Sequence, residues 1–506
     1  MISNAWRLRI YVTGAAIVAI WLGNDIAQSE FFWPELIVGL LVALALSLLQ
    51  PVPVGTLLLG CAAFGYIVGN RGFAQLSLSN QLPLLPAEFA LMVGGGILLI
   101  QSAMRREVPV IRDGLNTVIL IWIAVSSVRI IVDLRTYGVM ALRDYATVYY
   151  AAFFFLAQRA GADEKQRRFL TGCLLAGFAL LLMIYPLYEQ FQDFFLGTLI
   201  FRGSPLIFFK GDLLGTFLAA GAVLYYIRFE QKGSRTALVL ALLMAGAAMT
   251  TNNRASMLGL IVPVIILALG GRRRFLVILC GAAAASIIVM FVADRVRDVP
   301  WDRTALHGMY ERAVSLTDPF GERTYSGEET SYKGDNNVFR STWWRIVIDE
   351  TVHTNPWLGM GWGNDLAEPF VKIYYPEGGD DFTVRSPHNI FITLFARSGL
   401  LGLVPFLGLA GIILVKTWRA ARSGDVSMAP WCVVCTILTS ATFGVVLEGP
   451  MGAVIFWTAL GLANARKAIA GPATDPASPE KRCTSTGSDE WQVANDGALG
   501  SESATR

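Results

Sequence analysis

Charge is scarce in this chain. Asp, Glu, Lys and Arg supply 16% of its 506 residues, against about a quarter in soluble domains, which excludes an ordinary water-facing globule. The net charge is only +3, too little for the electrostatic footprint that nucleic acid requires. Six cysteines fall in apolar runs or in the terminal tail, and none lies in the long polar stretch 294–387, so no disulfide framework is implied. Cys432 and Cys435 have a CxxC spacing, but inside an apolar run that spacing suits packing better than metal binding. Histidine is scarcer still: there are three, His307, His353 and His388. They are far apart and have no close ligand spacing, so no metal centre is expected. The carboxylate pairs Asp380/Asp381 and Asp25/Glu30 lack supporting ligands nearby and read as solvated loops.

Apolar residues are what the chain has in quantity. They make up 54% of it, and the mean hydropathy is +0.52. Continuous apolar runs near the ~20 residues that cross ~30 Å of hydrocarbon recur along most of its length. A membrane barrel would need short alternating strands instead. The expected fold is therefore all-α, a polytopic membrane protein with about 12–14 transmembrane helices and one long external loop carrying short helices. Candidate spans cover residues 8–24, 35–50, 54–70, 86–103, 114–133, 144–158, 168–186, 213–229, 235–251, 255–270, 274–293, 388–416, 429–447 and 450–466. Gly399 and Gly402 are placed to break the 388–416 run into a short lead-in helix and a full span. The first run has arginines before it and no clear small-residue cleavage site, so it reads as a retained helix.

Basic residues cluster in alternate short loops: "QSAMRREVPVIRD", "QRAGADEKQRR", "RFEQKGSR", "GGRRR" and "KTWRAARSGD". The positive-inside rule makes these cytoplasmic and both termini internal. The opposite face then carries the loop from about Tyr188 to Gly211 and the whole of 294–387. Four regions follow: helices across 1–293, an external loop at 294–387, further spans across 388–470, and a tail at 471–506 with little to bury, expected to be disordered and cytoplasmic.

Three features converge on the outer face. In "MTTNNRASMLGL", Arg254 sits in a tight turn between two apolar runs. That placement fits an anion site or an interfacial anchor. In "NVFRSTWWRIVIDETVHTNPWLGMGWG", Arg340 and Trp344 are four residues apart and share a face of a helix running from about Thr342 to Thr354 and ending before "NPW". An arginine fork suits phosphate, although a solvated arginine stacked on tryptophan also fits. Arg345 reads as a surface charge, and "GMGWG" as a turn. His388, in "RSPHNIFITLF", stands where the polar loop meets a span. It fits either a structural hydrogen-bonding residue or a general base near neutral pH. Pro387 restricts the backbone before it, and Asn389 can cap the following helix.

"TNNRASMLGL", "RSTWW" followed by "NPWLGMGWGN", and "PHNIFITLFARSGLLGLVPFL" together resemble the bacterial O-antigen ligase and polysaccharide polymerase superfamily, membrane glycosyltransferases of the C-type architecture. The likeness covers roughly residues 235–420. Asn253 stands before Arg254 where the family usually has Ser, and Ala255 follows where Gly or Ala is typical. The resemblance implies a metal- and cofactor-independent inverting glycosyltransferase. Its donor is an undecaprenyl-diphosphate-linked glycan, and its acceptor saccharide is lipid A–core or another lipid-linked repeat unit. Arg254 and Arg340 would hold the diphosphate and His388 would activate the acceptor hydroxyl, with Arg143 in "ALRDYATVYY" as a fourth candidate. It implies a multi-pass protein of the inner membrane with its site facing the periplasm, surrounded by membrane lipids, with a polymer-length regulator as a plausible partner of a polymerase. These motifs do not separate ligase from polymerase. A transporter or flippase of lipid-linked saccharides, or a non-catalytic subunit of an assembly complex, are the other readings of an arginine-lined membrane protein.

Overall fold

A computed structural model describes residues 52–76, 84–106, 108, 110–201, 204–205, 207–251, 253–296, 300–301, 304–316, 318, 323, 328–374 and 385–465. The expected spans at 8–24 and 35–50, the carboxylate pairs Asp25/Glu30 and Asp380/Asp381, Cys483 and the tail from 471 lie outside the described residues.

The described chain is almost entirely helical. In order, α1 is Val54–Gly69, α2 Arg71–Ala74, α3 Pro86–Arg105, α4 Gly114–Tyr137, α5 Val139–Tyr149, α6 Ala152–Ala162, α7 Glu164–Gln190 and α8 Gln192–Gly197. A two-strand hairpin, β1 Leu199–Phe201 and β2 Ser204–Pro205, leads to α9 Gly211–Lys232, α10 Arg235–Thr250, α11 Arg254–Leu269 and α12 Arg274–Val296. Then come α13 Ala305–Leu316, α14 Glu328–Thr354, α15 Glu368–Tyr374, α16 Ile390–Ser423, α17 Met428–Ala441 and α18 Pro450–Asn464. Six of these helices are long and apolar enough to cross a membrane, and five more are apolar but shorter.

Side-chain caps set where the helices begin. Asp113 accepts from Asn116 N at the start of α4, and Asp163 from Lys165 N and Gln166 N at the start of α7. Asn253 accepts from Ala255 N ahead of α11, and Asn389 from Phe391 N and Ile392 N ahead of α16. Each offers a side-chain oxygen to amides that have no partner inside the helix. Gly233 and Gly424 close α9 and α16 in the left-handed conformation.

The helices sort the loops to two ends. At one end, Arg272 pairs with Glu230 at 2.7 Å and donates to Ala421 O at 2.7 Å. Asn464 there joins Lys416 to Asp113. Arg272, Glu230, Ala421, Lys416 and Asp113 all belong to the basic loops. At the other end lie Asn70 against Phe208, Trp362 N on Asp133, Asn253 on Gly211 and Trp344 on Pro387. The alternation expected from basic residues is therefore a sorting of loops within the fold itself.

Three expected elements differ in ways that bear on the site. The run 144–158 is two helices, α5 and α6, joined where Ala151, Phe153 and Phe154 donate to carbonyls three residues back. That tighter 3₁₀ pairing interrupts the α ladder. The helix expected from Thr342 begins at Glu328, and it still ends at Thr354 before Asn355-Pro356. The run 429–447 is helical only to Ala441. The backbone beyond it turns because Phe443 O accepts from Arg340 and Val445 N donates to Asp212.

The break anticipated in α16 is real and has a partner. Gly399 has φ 62° and ψ −162° inside the helix, a region open essentially to glycine. The amides of Leu400 and Leu401 bond to Pro356 O and Trp357 O at 2.9 and 3.2 Å, and Ala396 O accepts from Met360 N at 2.6 Å. The "NPWLGM" turn is thus built into the gap in the helix. A β-carbon on Gly359 would stand 2.6 Å from Ala396 O, and one on Gly399 2.3 Å from the Trp357 carbonyl carbon. A small core of Trp343, Val347, Leu366, Phe370 and Ala396 clamps α14 and α15 to the lead-in part of α16.

Candidate functional site

His388 lies just before α16, on a backbone bent to φ 57°. Few non-glycine residues accept this left-handed conformation, though histidine is among those that do so more readily. The bend is held from several sides. Trp344 Nε1 donates to Pro387 O at 2.5 Å. Trp343 lies edge-on to the imidazole, with ring centroids 6.2 Å apart. His388 N donates to Ser386 Oγ at 3.4 Å, and Ser386 Oγ donates to Glu448 Oε1 at 2.6 Å. Thr393 Oγ1 donates to the same carboxylate oxygen at 3.0 Å. Burial raises the Glu448 pKa, against the pull of the two hydroxyls, Arg397 and Lys210.

A second set of contacts anchors the segment. Arg385 donates to Gly363 O at 2.9 Å and to Asp365 at 3.2 Å, and Arg397 pairs with Asp144 at 2.7 Å. Arg397 is 3% exposed. A buried, unpaired charge is costly, so the pairing with Asp144 fixes α5 to the lead-in part of α16.

Cations gather around the imidazole. Arg340 reaches the α17–α18 loop and donates to Phe443 O at 2.8 Å. Lys210 pairs with Asp212 at 3.3 Å, and Asp212 accepts from Val445 N at 3.2 Å in the same loop. Burial, then Arg340 and Lys210, push the His388 pKa down to about 4, with Asp212 opposing. At neutral pH the ring is therefore uncharged. Its Nδ1 is buried with no hydrogen-bond partner among the described residues, so a ring nitrogen is left for a ligand to meet.

Arg254 opens α11. The preceding Asn253 donates to Gly211 O at 3.5 Å, and Ser440 Oγ donates to Ala255 O at 3.2 Å. The N-termini of α9 and α11 therefore sit side by side, next to the Lys210–Asp212 pair. Helix N-termini carry partial positive charge and free amides, which suit an anion.

The structure thus brings Arg254, Arg340 and His388 to one end of the bundle. Arg143 stands apart: it is exposed on α5, and its neighbour Asp144 is the residue that turns inward. Arg345 is exposed, as a surface charge should be. Sequence reading passed over Lys210, Asp212, Glu448 and Arg397. Lys210 and Asp212 flank the start of an apolar run, as Arg254 does, and Arg397 is an ionisable residue inside one. The rule that such residues are rarely idle applies to both.

Residues 239–407 match the family model described as O-antigen ligase. The matched stretch runs from α10 past the break in α16 and contains Arg254, Arg340 and His388. The match supports the O-antigen ligase and polymerase superfamily for this part of the chain. No curated protein matches the sequence.

Proposed function

We propose, on the premise of an O-antigen ligase domain across residues 239–407, that the protein is an inverting membrane glycosyltransferase. It moves a glycan from an undecaprenyl-diphosphate-linked donor to an acceptor saccharide at the periplasmic face of the inner membrane. The observation that carries this reading is the uncharged, buried imidazole of His388, with an unpartnered nitrogen, beside Arg340 and Lys210.

The donor diphosphate is tethered by its lipid and lies against Arg254, Arg340, Lys210 and the N-termini of α9 and α11. His388 takes the proton from an acceptor hydroxyl as its oxygen attacks the anomeric carbon. The bond from that carbon to the diphosphate oxygen breaks on the far side, which inverts the configuration. The charge that collects on the departing diphosphate meets cations and amides already in place, so little reorganisation is needed as the bond breaks. The two paired arginines of the inner layer, Arg385 and Arg397, hold the histidine segment and are committed to Asp365 and Asp144.

The test is transfer by purified protein from a labelled lipid-linked glycan. A growing ladder from a single lipid-linked repeat marks a polymerase, and a capped lipid A–core without a ladder marks a ligase. Passage of intact lipid-linked saccharide across vesicles with no new glycosidic bond would mark a transporter and overturn the reading.

A further inference from the structure

The end of the bundle farthest from His388 holds a cavity of about 310 Å³, lined by Glu230, Gly270, Gly271, Arg272, Arg274 and Arg422. It lies where α9 and α16 end and where α11 turns into α12. Glycine keeps its wall open: Gly271 has φ 93°, with nothing within 4 Å of the place its β-carbon would occupy. Arg272 is committed, to Glu230 and to Ala421 O. Arg274 and Arg422 are exposed and form no ion pair among the described residues, Arg422 lying 5.7 Å over the Trp418 ring. Three guanidiniums against one carboxylate leave the cavity cationic.

One polar atom there wants a donor: Glu230 Oε2 is buried without a hydrogen-bond partner among the described residues. Such an atom is costly unless something meets it. A bare phosphate would satisfy the arginines and leave the Glu230 oxygen opposed. A ligand with both a phosphodiester and a hydroxyl satisfies all of them. Beside the cavity, Leu269, next to Gly270, and Trp418, under Arg422, are exposed at 74% and 41%, an apolar surface suited to acyl chains.

We propose that this cavity binds the phosphoglycerol headgroup of an acidic phospholipid, its phosphate between Arg274 and Arg422 and a glycerol hydroxyl donating to Glu230 Oε2. Trp418 marks the depth of the headgroup layer, where tryptophan is enriched. The site is independent of the transferase reading, because it uses no residue of the His388 cluster.

The experiment is lipid binding by the full chain, purified in a neutral detergent and followed by thermal stability and native mass spectrometry. Phosphatidylglycerol is the probe, and phosphatidylcholine, phosphatidic acid and inorganic phosphate are the comparisons. Phosphatidylglycerol should raise Tm most, and Arg274→Gln and Arg422→Gln should each weaken its binding by about fivefold, as expected for one basic residue at an anionic headgroup. Both side chains are exposed, so the variants keep the fold, which transfer at the His388 end checks separately. Equal protection by inorganic phosphate at the same concentration overturns the lipid assignment. Equal binding of phosphatidic acid overturns the hydroxyl contact to Glu230. Unchanged phosphatidylglycerol binding in both arginine variants overturns the site altogether.

Discussion

At the scale of single residues, His388 combines a strained backbone with a depressed pKa. Asparagine tolerates φ near 57° better than alanine does, so His388→Asn removes the base while keeping the bend. Transfer should fall about 10²–10⁴-fold while donor binding persists, measured with purified variant and labelled lipid. The ring titrates near pH 4 in the folded protein, against ~6.5 in an unfolded chain. As pH falls through that window the unfolded chain takes a proton that the folded site refuses, so stability is lost on acidification, by up to roughly 3 kcal/mol. His388→Asn removes that loss, and its Tm should drop less than the wild type's on moving from pH 7 to pH 5. A bound diphosphate neutralises Arg340 and Lys210, the two cations that depress the ring. The acid limb of kcat should therefore lie at higher pH than the His388 limb of kcat/KM, since the first reports the donor complex and the second the free enzyme. Coincident limbs would remove these cations from the donor site. Arg254→Lys and Arg340→Lys keep charge but lose the planar fork, and both should lose most transfer at matched abundance. Exposed Arg143, mutated to Ala, should stay close to wild type.

At the scale of elements, the break in α16 holds the outer loop to the spans. Gly399→Ala forces a side chain into a backbone region reserved for glycine, about 1–3 kcal/mol, and adds a contact of 2.3 Å with the Trp357 carbonyl carbon. The "NPWLGM" turn should leave the gap, lowering both Tm and transfer. Gly408→Ala in the same helix is the control. Its nearest neighbour would be Val118 Cγ1 at 3.9 Å, and it should be neutral or stabilising by about 0.5–1 kcal/mol. Hydropathy alone made most spans legible, because a span satisfies its backbone within itself and announces itself locally. The glycine break and the Asn389 cap were legible for the same reason. The start of α14 and the end of α17 were not: α17 stops at Ala441 because its next backbone groups bond to Arg340 and Asp212, 103 and 233 residues away along the chain. Glu448 stayed hidden for the same cause, since its partners Ser386 and Thr393 are 62 and 55 residues away along the chain.

At the scale of the whole molecule, the two ends differ in the charges they present. The end with Arg228, Arg235, Arg272, Arg273, Arg274, Arg419 and Arg422 gathers the basic loops, and the other gathers His388 and the starts of α9 and α11. A membrane with an inside-negative potential and an anionic inner leaflet favours the first end in the cytoplasm. A lipid-borne diphosphate would then meet Arg254, Arg340 and His388 only after its glycan has crossed to the outer side. This orientation is testable without any enzyme assay. With the native cysteines removed, Glu350→Cys on α14 and Ser423→Cys at the end of α16 each offer an exposed thiol, one at each end. An impermeant maleimide added to intact spheroplasts should label the Glu350 position and spare the Ser423 position until the membrane is opened. The reverse pattern would put His388 in the cytoplasm, where the acceptor saccharides of a periplasmic transferase are absent, and the proposed reaction would lose its place.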